Sequence, residues 1–341
     1  MPNLPNVDAV LLTASILAGL GGAGCAAIPD PPEPLPAPEA PQAAAIRLDE
    51  PPPDAAAPRP LAPRIHWTPA TPAEGTLAVL TLEPMPQGLP AFEMTAGARD
   101  NEIALARLKG GAYFGLVAVP LNTDAVPVEV NVTFIDGTRL TQHLSLLVER
   151  QDFPTTGLSV ASRFTAPDEQ SLERIRRERE IIRAALAVVS KRPLWTGAFI
   201  LPRNDATTSP YGQRRLFNNQ LRSRHTGLDI RGRTGDAVYA ANSGRVILAR
   251  ELFYSGNAVY IDHGLGLVTG YFHLSERAVR EGQWVDKGQL IGRVGATGRV
   301  TGPHLHWGLY LQGAALDPRT LLELELTEIG DRLLSPPAIV E

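Results

Sequence analysis

Val128, Val130, Val132 and Phe134 alternate with Glu129, Asn131 and Thr133. A period of two fits an extended strand with one buried face. Asp136-Gly137 follows as a two-residue turn signal, and Leu140 to Val148 returns as the partner strand. Further short apolar stretches, Leu77 to Leu82, Ile103 to Leu108 and Tyr113 to Val119, are separated by Gly, Pro and Asp. This pattern predicts a small β-sandwich over residues 66–160. The period then changes. Leu172, Ile175, Ile182, Leu186 and Val189 keep helical spacing until Pro193, which predicts a connecting helix over 168–192, opened at Pro167-Asp168. Glu173 and Arg177 are spaced to pair on it. The chain is therefore expected to be mainly β.

Composition narrows the function classes. Of 341 residues, 44% are hydrophobic and 20% charged, enough apolar side chain for packed cores, which excludes wholesale disorder and a polytopic membrane protein. Net charge is −4 with no basic excess, so no nucleic-acid partner is expected. Residues 1–27 read as a signal or anchor segment: Ala9 to Ala27 carries no charge and ends in Gly-Gly-Ala-Gly-Cys-Ala-Ala. Cys25, the only cysteine, stands where an exported lipoprotein is lipidated, so a membrane partner through Cys25 is one expectation and plain secretion the other. Residues 28–65 form a Pro/Ala-rich linker. Its stretch Pro29 to Pro63, extended at about 3.1 Å per residue, would reach on the order of 100 Å.

Five of the seven histidines lie between residues 225 and 306, within the stretch 193–325 that precedes a tail at 326–341. His66 and His143 stand apart, without a carboxylate at ligand spacing, and read as surface or packing residues. In His225-Thr-Gly-Leu-Asp229 the His and Asp are four apart, on one face of an extended chain, with Gly227 between them leaving that face open. His304 and His306 share a strand face, with Leu305 turned away. His273 is a lone histidine in an apolar strand. With a single cysteine no structural Cys-rich zinc site can form, whereas two imidazoles and a carboxylate make a catalytic-type site with one position left for water. Histidines beyond that set can take a proton from the attacking water or donate to an oxyanion.

From about Phe199 to Leu322 the chain resembles the M23 family of zinc metallopeptidases, the lysostaphin-type peptidoglycan endopeptidases. The resemblance rests on Ser209-Pro-Tyr-Gly-Gln-Arg214, His225-Thr-Gly-Leu-Asp229, Gly235-Asp-Ala-Val-Tyr-Ala240, Tyr260-Ile-Asp-His-Gly264, Tyr271-Phe-His-Leu274, Gly298 and Gly302-Pro-His-Leu-His306. It implies an antiparallel β-sheet catalytic domain behind an Ig-like β-sandwich module and the helix. It also implies one zinc ion on His225, Asp229 and His306, with His304 as general base and His273 as second catalytic histidine. His263 matches a structural position. The implied activity is hydrolysis of peptide bonds in peptidoglycan cross-links or stems, in the periplasm or cell envelope. The alternative is an inactive member that binds peptidoglycan or activates an amidase; such members lose zinc ligands, and all five positions are present here. Leu216 to Arg224 is a longer insert than the family's and is expected at the groove rim. Val285 to Gly292 also resembles half of a lipoyl-type sandwich, but lipoylation of Lys287 would leave the histidines unexplained.

Overall fold

Strand β2 (Leu77–Glu83) buries alternate side chains on opposite sides of its sheet. Ala78, Leu80 and Leu82 enter one core, while Leu77 and Val79 enter another. Its neighbour β6 (Tyr113–Ala118) does the same, with Phe114 and Leu116 on one side and Val117 on the other. A strand buried on both faces reads as a continuous apolar run, which is why these two stretches lack alternation.

These strands belong to a four-stranded sheet, ordered β1 (Arg64–Thr68), β2, β6, β5 (Ala106–Arg107). A second sheet, ordered β4 (Asn101–Ile103), β3 (Ala91–Ala98), β7 (Ala125–Phe134), β8 (Arg139–Leu147), packs on one side of it. In β7 the alternating residues Val126, Val128, Val130, Val132 and Phe134 all enter the core between the two sheets. The other side of the first sheet packs on the C-terminal half through Leu77, Val79, Phe114 and Leu116, which share a core with Trp195, Leu228 and Trp307. The sandwich and the C-terminal half therefore share a continuous apolar contact. The computed structural model describes residues 58–324 apart from 100, 159–163, 165 and 218–219. The export segment, Cys25, most of the linker and the tail lie outside the described residues.

Helix α1 (Glu169–Leu186) is capped by Asp168, whose carboxylate accepts the Ser171 N–H at 2.8 Å. It stops at Leu186, before Val189, and Leu172 is 39% exposed. The stripe is thus narrower than its periodicity suggests, and only Ile175 and Leu186 are buried. Leu186, with Ile182 against it, packs on Leu248, Leu252, Tyr260 and Phe272 of the main sheet. Among the described residues no helix is long and apolar enough to cross a membrane.

The main sheet has ten strands. Its path runs β10 (Thr207–Ser209), β13 (Leu228–Arg231), β20 (His304–Leu311), β17 (Leu267–Arg277), β16 (Gly256–Asp262), β15 (Gly244–Leu252), β18 (Trp284–Val285). Beside this path, β14 (Ala237–Tyr239) pairs with β19 (Leu290–Val294), β19 with β17, and β21 (Ala314–Leu316) with β20. A short helix α2 (Thr320–Glu323) follows. A third small sheet joins β9 (Thr155–Leu158), from the connection after the sandwich, in parallel to β11 (Arg214–Phe217), which pairs with β12 (Gln220–Arg224). The insert before the first ligand motif is thus a hairpin stitched to the strand that leaves the sandwich. Lys287 Nζ donates to the carbonyls of Thr196 and Ala198 at 3.3 Å each, a structural occupation.

His263 closes the tight loop after β16 and is fully buried. Its Nδ1 lies 2.8 Å from the Ser243 carbonyl and its Nε2 2.7 Å from Thr269 Oγ1, which in turn meets the Tyr271 hydroxyl. Burial pushes its pKa down to about 4. A histidine held below its unfolded value contributes stability that is present above the unfolded pKa of about 6.5 and lost as pH falls through the folded pKa. Between pH 6.5 and 4 the unfolding free energy should therefore drop, with roughly 3 kcal/mol of the loss due to His263. Denaturant titrations of wild type and His263→Gln across that range should show a shallower acid slope in the variant.

Candidate functional site

Strands β13, β20 and β17 lie side by side, and their register places the chemistry. Asp229 on β13 faces His306 on β20, Arg231 faces His304, and Phe272 on β17 faces His306 from the other side. His304 and His306 project to one face and the fully buried Leu305 to the other. His225 is not on a strand: it sits in the connection between β12 and β13, and the chain bends at Gly227 before Leu228 begins β13. That bend brings His225 Nε2 to 2.9 Å from Asp229 Oδ1 and 3.0 Å from His306 Nδ1. His306 Nδ1 is 2.9 Å from the same carboxylate oxygen. All three residues are buried.

Neighbours fix the orientation of each group. His225 Nδ1 donates to the Pro210 carbonyl at 2.7 Å, which turns Nε2 inward toward Asp229 and His306. The His306 ring stacks on Phe272 at 5.2 Å and 16°. A Cβ at position 227 would meet the His306 imidazole and stand 2.5 Å from the Trp307 carbonyl oxygen. Gly227 does leave the site open, and it does so by letting His306 approach its backbone. The second oxygen of Asp229 accepts Arg215 Nη2 at 2.8 Å. Burial raises the Asp229 pKa, but hydrogen bonds from His225 and His306 outweigh it and hold the carboxyl well below the usual range. Burial also pushes His306 down to about 4. An uncharged His306 can still donate Nδ1–H to the carboxylate, so the two directions agree.

The three donor atoms fit a zinc ion. Two imidazole nitrogens and a carboxylate oxygen lie 2.9–3.0 Å apart, a few tenths below the roughly 3.3 Å edge that a tetrahedron with 2.0–2.1 Å bonds would have. Among the described residues no fourth protein donor joins them, the pattern of a site that keeps a position open.

His304 Nδ1 is 2.9 Å from the Gly302 carbonyl, and its Nε2 is 3.6 Å from Asp229 Oδ1. His273 Nδ1 is 2.9 Å from the Thr297 carbonyl, and its ring centroid is 5.0 Å from that of His304. A carbonyl accepts, so in both rings it is Nδ1 that donates. Regular alternation would turn His273 away from the face shared by Phe272 and His306. Its backbone instead takes φ +62°, its N–H donates to the Ser255 carbonyl at 2.9 Å, and the break returns its ring to the site. The loop holding Thr297 docks through Gly298, at φ +74°, where a Cβ would clash with Gly256 backbone. Burial pushes His273 down to about 3, with the His306 and His304 charges acting the same way. Neither His66 nor His143 approaches the site; each lies exposed 3.6 Å from a surface glutamate, Glu83 and Glu129 respectively.

A cleft of about 550 Å³ opens over Asp229, His273 and His304, walled on one side by Thr156 and Gly157 of β9. A smaller cleft of about 180 Å³ reaches His225 and His306. Arg215 and Arg299 border both. Sequence reasoning placed the insert at the rim but missed Arg215. The available signal was the doubled Arg214-Arg215 on an extended segment, which must send one guanidinium to each face.

A buried His/Asp/His donor set beside two further histidines, on an antiparallel sheet under an open cleft, makes a candidate metal centre. The Peptidase family M23 description matches residues 223–318, the segment that carries all four site histidines and Asp229. It is 47% identical over 89 residues to the peptidoglycan DD-endopeptidase ShyA of Vibrio cholerae, covering 26% of this chain and 21% of ShyA. It is 39% identical over 111 residues to the DD-carboxypeptidase/endopeptidase Mpg of Neisseria meningitidis, covering 33% and 26% of the two chains. The chain thus spans about a fifth to a quarter of the length of these curated relatives. The crystal structure of a candidate M23 peptidase from Pseudomonas aeruginosa aligns with a TM-score of 0.56 at 27% identity, over 74% of this chain and 94% of that one. That likeness reaches well beyond residues 223–318.

The tight approach at Gly227 yields a prediction. Gly227→Ala should displace His306 and weaken zinc binding at least about tenfold, the order seen when a ligand's support is lost. Competition with a chromophoric chelator on the purified protein would measure it.

Proposed function

We propose that this protein is a zinc endopeptidase that hydrolyses peptide bonds in peptidoglycan cross-links or stem peptides. The observation that carries the reading is the convergence of His225 Nε2, Asp229 Oδ1 and His306 Nδ1 on one point, with two more imidazoles at the same cleft. The peptidoglycan endopeptidase names of the relatives support the substrate class. His225, Asp229 and His306 would hold the zinc, which would supply Lewis-acid polarisation of the scissile carbonyl and a lowered pKa for the attacking water. His304, with Nδ1–H committed to Gly302, accepts the water's proton at Nε2. His273 serves the oxyanion once it carries a proton at Nε2; burial opposes that charge and developing negative charge on the substrate favours it. Arg215 keeps the Asp229 carboxylate turned so that Oδ1 faces the two histidines. Such an enzyme works in the periplasm or cell envelope, and lipid anchoring through Cys25 belongs to the same proposal.

Purified sacculi incubated with the zinc-loaded protein should release muropeptides, identified by mass, and a chelator should stop the release. His304→Ala should keep its zinc and lose about 10²–10⁴-fold in turnover. Asp229→Ala should lose both metal and activity. An Asp229→Ala protein with full zinc and full activity would overturn the assignment. Intact zinc binding with no product from any sacculus would favour the non-hydrolytic alternative.

A further inference from the structure

Among the described residues the large cleft is lined by three arginines, Arg215, Arg231 and Arg299, and by a single carboxylate, Asp229. That carboxylate is committed, with Oδ1 to His225 and His306 and Oδ2 to Arg215. Arg231 is exposed on β13 directly across from His304 in the strand register. Arg299 stands on the loop before β20, its guanidinium carbon 4.6 Å from the centroid of the Tyr254 ring, a contact that orients the planar group. Burial pushes the Arg299 pKa down, and the neighbouring Arg215 charge acts in the same direction. The partly buried Arg215 and Arg299 cations repel one another, with the exposed Arg231 lining the same cleft, and an anion bound there relieves that repulsion. Because Arg215 and Arg299 border both clefts, such an anion would sit within a residue or so of the bond being cut.

Resting on the function proposed above, we propose that Arg299, with Arg231 and Arg215, forms a subsite for a free carboxylate on a residue flanking the scissile bond. The guanidinium fork matches a planar carboxylate and gains charge-assisted hydrogen bonds that a carboxamide cannot supply. Peptides cross-linked through a diamino acid carry such a carboxylate, and amidation removes its charge. The cleft would therefore select the unamidated form.

The test uses the full zinc-loaded chain and two synthetic cross-linked peptides, identical except for a carboxylate or a carboxamide on the diamino acid. Both kcat/KM and calorimetric Kd are measured for each. The carboxylate form should be preferred by about tenfold or more, mostly through KM, and the preference should shrink as salt is raised. Arg299→Gln should bring the ratio close to one, Arg299→Lys should restore part of it, and Arg231→Gln should lower it independently. A wild-type ratio near one, or a full ratio retained in both Gln variants, overturns the subsite. If neither peptide is cut, the endopeptidase reading fails, and the two Kd values alone decide the subsite: unequal in favour of the carboxylate supports it, equal overturns it.

Discussion

Asp229 is the residue on which the rest of the site depends. One of its oxygens meets both His225 and His306, and the other meets Arg215. A buried carboxylate without partners would be costly and would protonate; here every side of it is occupied, and it stays ionised. Its position follows from pairing with His306 across β13 and β20, so the geometry of a metal-binding set is written into backbone register rather than into loops. A one-residue slip between those strands would send His306 to the opposite face and dismantle the set.

The remaining architecture keeps that register fixed and the face uncluttered. β17 buttresses β20 and lends Phe272 to the His306 ring. The left-handed backbone at His273 adds a fourth imidazole to the site without disturbing the ladder between β17 and β20. On the same side, helix α1 packs Leu186 near Phe272 and Tyr260. The N-terminal sandwich contributes through strands buried on both faces, and the strand leaving it, β9, becomes a wall of the cleft. A module that read as chemically silent thus takes part in shaping the groove.

Much of the fold was legible because its signals are local. Alternation in Val128 to Phe134 with the Asp136-Gly137 turn gives a hairpin, and both the mainly β class and the resemblance to M23 peptidases follow from short motifs. The same-face argument for His304 and His306 holds because β20 is regular there. It does not extend to His225, which lies off the strand and reaches Asp229 through a bend at Gly227. Nor could alternation place His273, whose ring direction depends on a single positive φ set by contacts with Ser255 and Thr297. Arg299 was invisible for a related reason: it stands on a loop without periodic pattern, and only tertiary packing reveals what its guanidinium touches. The narrow stripe of α1 shows the converse, since periodicity named five apolar positions where packing buries only Ile175 and Leu186 among them.

The most direct test of the account is X-ray absorption at the zinc edge on the zinc-loaded full chain. Two imidazole nitrogens and one carboxylate oxygen, with one further light atom at about 2.0–2.1 Å, are the expected coordination, and Asp229→Ala treated in the same way should retain no zinc and give no such spectrum. A shell of three or more imidazoles, or a spectrum unchanged by that substitution, would contradict the assignment of His225, Asp229 and His306 as the metal centre.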